Sequence, residues 1–155
     1  MNSLRQLLIL TISLTLVFEP LVVAGNRQSL YRCITETGDH FVSFDIGCEG
    51  RRTEAFMGYI DARRTEQATV PIYRCVTQDL RDHFTTSDAT CRGHIVEGLL
   101  GYVSSTDPRL LGVAALPFYE CLTLPGLINS HFVSHLINCE GQRTLSQHGY
   151  LLQSP

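Results

Sequence analysis

Apolar and polar residues alternate in short runs along the chain, and turn residues separate these runs. In the first third, Tyr31–Ile34 and His40–Phe44 alternate around a Glu-Thr-Gly turn, and Thr53–Met57 and Gly58–Ile60 follow as two further extended pieces. Short strands between turn residues are typical of all-β sandwiches and barrels. Apolar residues here do not recur at the i, i+3, i+4, i+7 spacing of an amphipathic helix. The pattern therefore predicts an all-β fold with about four strands in each third of the chain.

The same blocks recur three times in the same order. Each copy contains Tyr-x-Cys, His-Phe, a second cysteine followed by a charged residue and Gly, and a closing Gly-Tyr; the copies span about residues 30–60, 72–103 and 118–151. The spacing from His to the second Cys is eight positions in every copy, and that from this Cys to the closing Tyr is eleven. A repeat of this length cannot bury its apolar face alone, so the three copies must pack into one domain.

The number of copies and the length of the chain limit the choice of β architectures. Three copies of about four strands, within a mature chain of about 130 residues, match a β-trefoil. A three-sheet β-prism is the alternative, and a propeller is disfavoured because propellers usually have four or more blades. We therefore predict a single three-repeat β domain over residues 26–155, with the β-trefoil as the preferred arrangement.

Six cysteines, two in each copy, predict three disulfides in a secreted chain. Three equivalent first cysteines cannot pair among themselves without leaving one over, so a first cysteine must pair with a second. Pairing around the ring of copies is one solution. The simplest solution is pairing within each copy, as Cys33–Cys48, Cys75–Cys91 and Cys121–Cys139. A zinc site is disfavoured because no close Cys-x-x-Cys pair occurs.

Residues 1–25 have the pattern of a secretory signal peptide. Arg5 precedes an apolar run, and small residues near Ala24 and Gly25 suit cleavage. A membrane anchor is the alternative, but the apolar run before Glu19 is short, and no later run approaches the roughly 20 apolar residues of a membrane span. We therefore expect a secreted, extracellular protein with no membrane span after signal cleavage.

The charged residues argue against one class of partner. All 12 basic residues are arginine, and the formal net charge is −3. Nucleic-acid binders carry a basic patch or stripe, and the sequence shows none, so no nucleic-acid partner is predicted. The dibasic pair Arg63–Arg64 lies in a linker, where it is either solvated or a site of proteolytic processing.

Three blocks of the repeat resemble a known family. Tyr31-Arg32-Cys33, Gly38-Asp-His-Phe-Val-Ser43 and Val96-Glu-Gly-Leu-Leu-Gly-Tyr102 are similar to repeats of the secreted domain of unknown function 5648 family. The resemblance covers Leu30 to Leu151 and implies an adhesion or substrate-targeting module of the kind often attached to extracellular hydrolases. It implies no established activity, and the chain departs from the family pattern by its paired cysteines.

A histidine precedes phenylalanine in every copy, at His40, His83 and His131. Each imidazole can contact a ligand, with Asp39 and Asp82 nearby to orient the ring. A structural histidine in a satisfied hydrogen-bond network is the alternative. A metal shared by all three rings is disfavoured, because a stable site also needs partners behind its ligands.

Tyrosines and charged residues complete the candidate sites. The tyrosines beside the first cysteines and at the ends of the copies either pack in the core or stack on a sugar ring in a shallow pocket. Arg32 with Glu54, and Arg74 with Glu97, are predicted to form ion pairs within a copy or to bind a polyhydroxylated ligand. The third copy has Glu120 in place of the arginine and a leucine in place of the glutamate, which removes both partners together.

No Gly-x-Ser-x-Gly, His-Glu-x-x-His or P-loop motif occurs, so we do not expect an enzyme, a cofactor or a metal. The sequence favours a lectin-like module that recognises an extracellular glycan or a cell-surface protein through repeated weak sites. The candidate ligand-binding residues are Tyr31, Arg32, His40, Glu54, Tyr73, Arg74, His83, Glu97 and His131. The alternatives are a protein-binding effector or inhibitor acting through Thr123–Asn129 or Thr106–Leu116, and a structural extracellular protein.

Overall fold

The computed structural model describes residues 26–124 and 129–155, and its regular elements are nine β-strands and four short 3-10 helices. The strands are β1 (Arg27–Ile34), β2 (His40–Ser43), β3 (Arg52–Asp61), β4 (Ala68–Val76), β5 (His83–Thr86), β6 (Ile95–Ser104), β7 (Ala115–Leu122), β8 (His131–Ser134) and β9 (Arg143–Leu152). The predicted all-β fold is confirmed. The predicted signal peptide, residues 1–25, and most of the loop Thr123–Asn129 lie outside the described residues. Within the two described ranges, no helix is long and apolar enough to cross a membrane.

The strands pair in three sets with the same antiparallel pattern. The first strand of each set pairs with the other two: β1 with β2 and β3 (unit 1), β4 with β5 and β6 (unit 2), and β7 with β8 and β9 (unit 3). Thr53–Met57 and Gly58–Ile60, predicted as separate pieces, belong to the single strand β3, so this unit has three strands rather than four. Met57 is an extra residue between the pairs Leu30–Gly58 and Tyr31–Phe56, and such a β-bulge bends a strand without ending it.

The long strands β3, β6 and β9 pair with one another near their C-terminal ends and so join the three units. The glycine before each closing tyrosine lies at these junctions with a positive φ, for example 118° at Gly58 and 149° at Gly101. A Cβ atom at Gly58 would lie 2.8 Å from the carbonyl oxygen of Leu152, and one at Gly101 would lie 2.5 Å from that of Asp61. Glycine therefore lets the backbones of neighbouring units approach this closely.

One apolar core lies between the units and takes residues from all three: Leu30, Val42, Met57, Ile60, Ile72, Leu100, Val103, Phe118, Val133 and Leu151. Each unit also has a small cluster around its own disulfide. These disulfides are Cys33–Cys48, Cys75–Cys91 and Cys121–Cys139, which confirms pairing within each copy. Closing a loop of this length stabilises the folded chain by about 3 kcal/mol in the chain-entropy description. The disulfides thus hold the 3-10 turn of each unit against its first strand.

Candidate functional site

The histidines of the three His-Phe pairs lie at one end of the molecule, where the units meet. Nδ1 of His83 lies 2.6 Å from Oδ2 of Asp39, and Nδ1 of His131 lies 2.6 Å from Oδ2 of Asp82. The backbone N–H groups of both histidines donate to the same carboxylates, at 3.0 and 2.8 Å. The sequence predicts that each aspartate orients the histidine next to it, but in the structure it orients the histidine of the following unit. Successive residues of an extended chain face opposite ways, which directs the two side chains to different partners.

Ser130 takes the place of the aspartate at the third junction, where its Oγ lies 3.3 Å from Nδ1 of His40. Burial lowers the pKa of His40 below its ordinary value. Burial also lowers the pKa of His83, but hydrogen bonds to Asp39 and Glu97 outweigh this effect and raise that pKa to about 9. At neutral pH His83 is therefore protonated and His40 is neutral, although the two occupy equivalent positions.

The phenylalanines that follow the histidines fill the space between the three imidazole rings. Each packs against the histidine of another unit, with ring centroids 5.5 to 5.8 Å apart in the pairs His40–Phe132, His83–Phe41 and His131–Phe84. The remaining cavity has a volume of about 10 Å³, enough for one water molecule at most. Across the part of the chain that the structure describes, no group of three or more His, Cys, Asp or Glu residues is arranged to hold a metal ion. The space enclosed by the three histidine–phenylalanine pairs is therefore filled.

A cleft between units 3 and 1, which we call cleft 1, has a volume of about 240 Å³ and is lined by Arg32, His40, Glu54, Thr123, Phe132, Glu140 and Gln142. Nε of Arg32 lies 3.2 Å from Oε2 of Glu54, and Nη1 lies 2.6 Å from Oε1 of Glu140. The Arg32–Glu54 contact is an ion pair without hydrogen-bond geometry. The guanidinium lies 5.6 Å from the ring centroid of Phe132, and Nε2 of His40 lies 3.3 Å from Oε2 of Glu54. The predicted pair within the unit is present, and a second carboxylate joins it from the neighbouring unit.

A cleft between units 1 and 2, cleft 2, repeats this geometry in about 270 Å³ and is lined by Thr35, Phe41, Glu49, Arg51, Arg74, His83 and Glu97. Nε of Arg74 lies 2.8 Å from Oε2 of Glu97, and Nη1 lies 2.7 Å from Oε1 of Glu49. The guanidinium lies 5.7 Å from the ring centroid of Phe41, and Nε2 of His83 lies 3.6 Å from Oε2 of Glu97. The hydrogen bond from Arg74 lowers the pKa of Glu49, so this carboxylate is charged at neutral pH.

The junction between units 2 and 3 carries the same kind of pair with its charges reversed. Arg92 donates to both carboxylate oxygens of Glu120, at 2.9 and 2.7 Å. Ser146 also donates to Glu120, at 3.0 Å, and the Glu120 side chain is only 1% exposed. The pair within the third copy is absent, as the sequence predicts, but the pair between units is present here as at the other two junctions. The sequence signal is the residue after the second cysteine, which is Glu49, Arg92 and Glu140 in turn and opposes the charge before the first cysteine of the next unit.

The residues that follow the second cysteines reach the junctions through an unusual backbone conformation. Glu49, Arg92 and Glu140 adopt the left-handed conformation, with φ of 56°, 54° and 58°. This conformation costs a residue other than glycine roughly 1–2 kcal/mol. In each unit the disulfide at the preceding residue and the ion pair to the next unit offset this cost.

The structure brings together most, but not all, of the predicted site residues. Arg32, His40 and Glu54 line cleft 1, and Arg74, His83 and Glu97 line cleft 2. His131 lies at the third junction, with Nε2 3.9 Å from Oε1 of Glu120. Tyr31 and Tyr73 pack against the disulfides of their own units instead and line neither cleft.

A different set of tyrosines lines a pocket at the opposite end of the units. Tyr59, Tyr102 and Tyr150, near the ends of β3, β6 and β9, share a pocket of about 310 Å³, which we call the tyrosine pocket. Strand β1 runs from this pocket to the histidines. Its first residue, Arg27, lines the tyrosine pocket, and its last residue, Ile34, pairs with His40. The sequence allows these closing tyrosines to stack on a sugar ring, but they are absent from the candidate ligand-binding residues, although their equal spacing from the second cysteines is a signal that they meet.

Comparison with known proteins does not narrow the function. No protein family, no curated protein and no solved structure matches this chain. The resemblance to the domain of unknown function 5648 family therefore stays a prediction, and a function must be proposed from the geometry.

Proposed function

We propose that the protein is an extracellular, non-enzymatic module that binds carbohydrate in a lectin-like way through clefts 1 and 2. The observation that supports this most is repetition. Two clefts at equivalent positions hold the same guanidinium, imidazole and carboxylate groups over a phenylalanine ring. Catalysis needs one distinctive constellation, whereas repeated similar sites suit multivalent binding.

The chemistry of the clefts suits the paired hydroxyl groups of a sugar, which both donate and accept hydrogen bonds. A carboxylate has about four acceptor sites, so the glutamates in the clefts keep acceptor capacity beyond their ion pairs. The side chains of Glu49 and Glu140 are 48% and 42% exposed, and solvent therefore reaches a carboxylate in each cleft. The ion pairs hold these groups in place before a ligand binds, which lowers the entropy lost on binding.

The proposal includes two sites per chain rather than three. At the third junction Arg92, Ser146 and the surrounding residues bury Glu120 almost completely, so its carboxylate does not reach solvent. Two weak sites on one rigid chain still raise the apparent affinity for a ligand with several sugar residues.

Three disulfides support the extracellular location, because such bonds persist in oxidising compartments. Secretion by the signal peptide over residues 1–25 belongs to the same proposal. The repeated pairing pattern supports three copies of one repeat around a common axis. The three sets of three strands are joined into one sheet through β3, β6 and β9, and both the β-trefoil and the three-sheet β-prism stay proposals for this arrangement.

A glycan array with the purified, oxidised domain tests the proposal. We expect saturable binding to one class of glycan, lost on reduction of the disulfides. The double variant Glu54→Gln/Glu97→Gln removes one charged acceptor from each cleft and should weaken binding about tenfold. Arg143→Gln, which changes one exposed charge outside the clefts, serves as the control. A blank array with a folded, oxidised protein would reject carbohydrate binding.

A protein partner is the second candidate, and one feature favours it. Leu110 and Leu111 are 84% and 77% exposed in the 3-10 helix Pro108–Leu111, within the predicted loop Thr106–Leu116. If the array is blank, a pull-down from extracellular fluid that depends on Leu110 would favour an effector or inhibitor.

A further inference from the structure

We propose that the tyrosine pocket is a separate binding site for one neutral, hydroxylated ring, such as a single uncharged hexose residue. The class of ligand rests on the proposed function above. The pocket differs from the clefts in its lining residues, in the number of sites per chain and in its position at the other end of the units. The pocket and the clefts can therefore be tested independently.

Each unit contributes one tyrosine to the pocket, because each closing Gly-Tyr lies where its strand meets another unit. The tyrosines pair with residues at the ends of neighbouring strands, namely Tyr59 with Leu152, Tyr102 with Asp61 and Tyr150 with Ser104. All three are half-buried. Their side chains line one shared space, and a tyrosine side chain offers both an apolar ring face and a polar tip.

The wall around the three tyrosines is not symmetric. The linker between units 1 and 2 contributes Thr65 and Gln67, and the linker between units 2 and 3 contributes Thr106, Pro108, Leu111 and Val113. Arg27, at the start of β1, forms another part of the wall. A ligand thus meets three similar tyrosines but three different wall segments, which predicts one orientation and one ligand per chain.

The charged groups at the pocket are already paired. Nε of Arg27 lies 3.4 Å from Oδ1 of Asp61. Beside the pocket, Nε of Arg109 donates to both carboxylate oxygens of Asp107, at 2.8 and 3.0 Å, and its guanidinium lies 5.7 Å from the ring centroid of Tyr150. A charged ligand would lose its hydration here without gaining an unpaired opposite charge, so the pocket favours a neutral one.

Two polar groups inside the pocket can accept hydrogen bonds from ligand hydroxyls. The carboxylate of Asp61 has about four acceptor sites, and its hydrogen bond from Arg27 is long, at 3.4 Å. The hydroxyl of Ser104 donates to the carbonyl oxygen of Thr106 at 2.6 Å, so its oxygen keeps lone pairs that can accept a hydrogen bond. The volume of about 310 Å³ lies at the lower end of small-molecule pockets, so a single ring fits the space better than a long chain.

Tyrosine fluorescence of the full, oxidised protein measures ligand binding to the pocket directly. The chain has six tyrosines and no tryptophan, and three of the tyrosines line the pocket. We would titrate with the methyl glycosides of glucose, galactose and mannose, and with methyl glucuronide and glucosamine as charged comparators. We expect one site per chain for at least one neutral hexoside, and binding of the charged sugars about tenfold weaker.

Two adjacent leucines give a matched pair of variants. Leu111 lines the pocket and Leu110 does not, while both are highly exposed, so either change should leave the fold intact. Leu111→Asp places a charge in the wall and should weaken hexoside binding about tenfold, whereas Leu110→Asp should leave it within about twofold.

The outcomes separate the two sites. Hexoside binding that is lost in Leu111→Asp, and kept in Leu110→Asp and Glu54→Gln/Glu97→Gln, supports the pocket even if the clefts prove inert. Binding that is lost only in the cleft variant overturns the pocket and leaves the proposed function standing. Equal losses in both leucine variants, a preference for charged sugars, or no saturable binding of any hexoside would also overturn it.

Discussion

The two ends of this molecule are built from the same three units, yet the units enclose very different spaces where they meet. Among the three histidine–phenylalanine pairs the enclosed space is about 10 Å³, with clefts 1 and 2 beside it, and among the three closing tyrosines it is about 310 Å³. Side chains make the contacts at the first end, where His83 binds Asp39 and His131 binds Asp82 across the junctions. Backbones make the contacts at the second end, beside the glycines that precede the closing tyrosines.

This difference shows how one repeat can serve two purposes. Side chains that hydrogen-bond across a junction hold neighbouring units together, and so they stabilise the assembly of units. Backbone contacts hold the units together while the adjacent side chains stay available. We therefore expect substitutions of the side chains that pair across the junctions to change the free energy of unfolding, and substitutions in the wall of the tyrosine pocket to change binding with little effect on stability.

The largest effect is expected for Glu120→Ala, which breaks the buried pair at the third junction. Removing one partner of a buried ion pair costs about 3–5 kcal/mol, and the partial exposure of Arg92, 45%, places this case near the lower value. Urea unfolding of the oxidised protein measures the loss.

The matched control for Glu120→Ala is the double variant Arg92→Glu/Glu120→Arg, which gives the third junction the polarity of the other two. It should recover most of the lost stability. A single variant as stable as the wild type, or a double variant no better than the single one, would contradict a stabilising role for the junction.

The next largest effect is a loss of stability in acid, and it is expected from a buried histidine in the core between the two ends. His148 is 8% exposed, its Nε2 lies 2.9 Å from Oγ1 of Thr85, and burial lowers its pKa to about 4. The unfolded chain takes up a proton near pH 6.5 that the folded protein excludes until about pH 4. The free energy of unfolding should therefore fall as pH falls through this window, by roughly 3 kcal/mol in total.

The test for His148 is unfolding of the wild type and of His148→Leu at pH 7 and pH 4.5. Leucine is the residue at the equivalent position of unit 2, Leu100. The variant should lose much less stability on acidification. An equal loss in both proteins would place the acid sensitivity elsewhere.

A smaller effect is expected for Ser130→Asp, which gives His40 the carboxylate that His83 already has. The pKa of His40 should rise from below its ordinary value to above it. A raised histidine pKa stabilises the fold below pH 6.5, and for His83 this contribution is lost as pH rises toward about 9. We expect a gain of about 1 kcal/mol at pH 6 from the new pair. NMR titration of the imidazole measures the pKa, and Ser130→Asn, which adds no charge, should leave it low.

The smallest effect on stability is expected at the tyrosine end. Leu111→Ser shortens an exposed side chain of the pocket wall and should change the free energy of unfolding by no more than about 0.5 kcal/mol. The same urea series used for Glu120→Ala measures it. A loss comparable to that of Glu120→Ala would show that both ends stabilise the fold, and the contrast between them would not hold.

Contacts within one unit were predictable because sequence spacing constrains them. Cys33 and Cys48 are 15 positions apart, and closing such a short loop is far easier than bridging units. Arg32 and Glu54 lie on the paired strands β1 and β3, where Glu54 is the extra residue of a register shift beside the pair Arg32–Ala55, and Nε of Arg32 lies 3.2 Å from Oε2 of Glu54. The merging of two predicted pieces into β3 was missed because a bulge and a strand break leave similar sequence patterns.

Contacts between units were not predictable in the same way. The pairing of Asp39 with His83 spans 44 positions, and that of Arg32 with Glu140 spans 108. Spacing does not say which unit follows which around the molecule. The reversed charges of Arg92 and Glu120 are visible in the sequence, but they acquire a meaning only when the two units are placed side by side.

By itself, the sequence determined that the chain is built from strands and that three similar copies follow one another, and it favoured a disulfide within each copy and an arginine–glutamate pair in each of the first two. These features depend on side-chain periodicity and on short loops, which are local properties of the chain. Only the tertiary structure decided which side chains meet across the junctions, and that the phenylalanines fill the space among the three histidines while the closing tyrosines line a pocket. These outcomes depend on how three units pack around one core, and no spacing within a single unit specifies that arrangement.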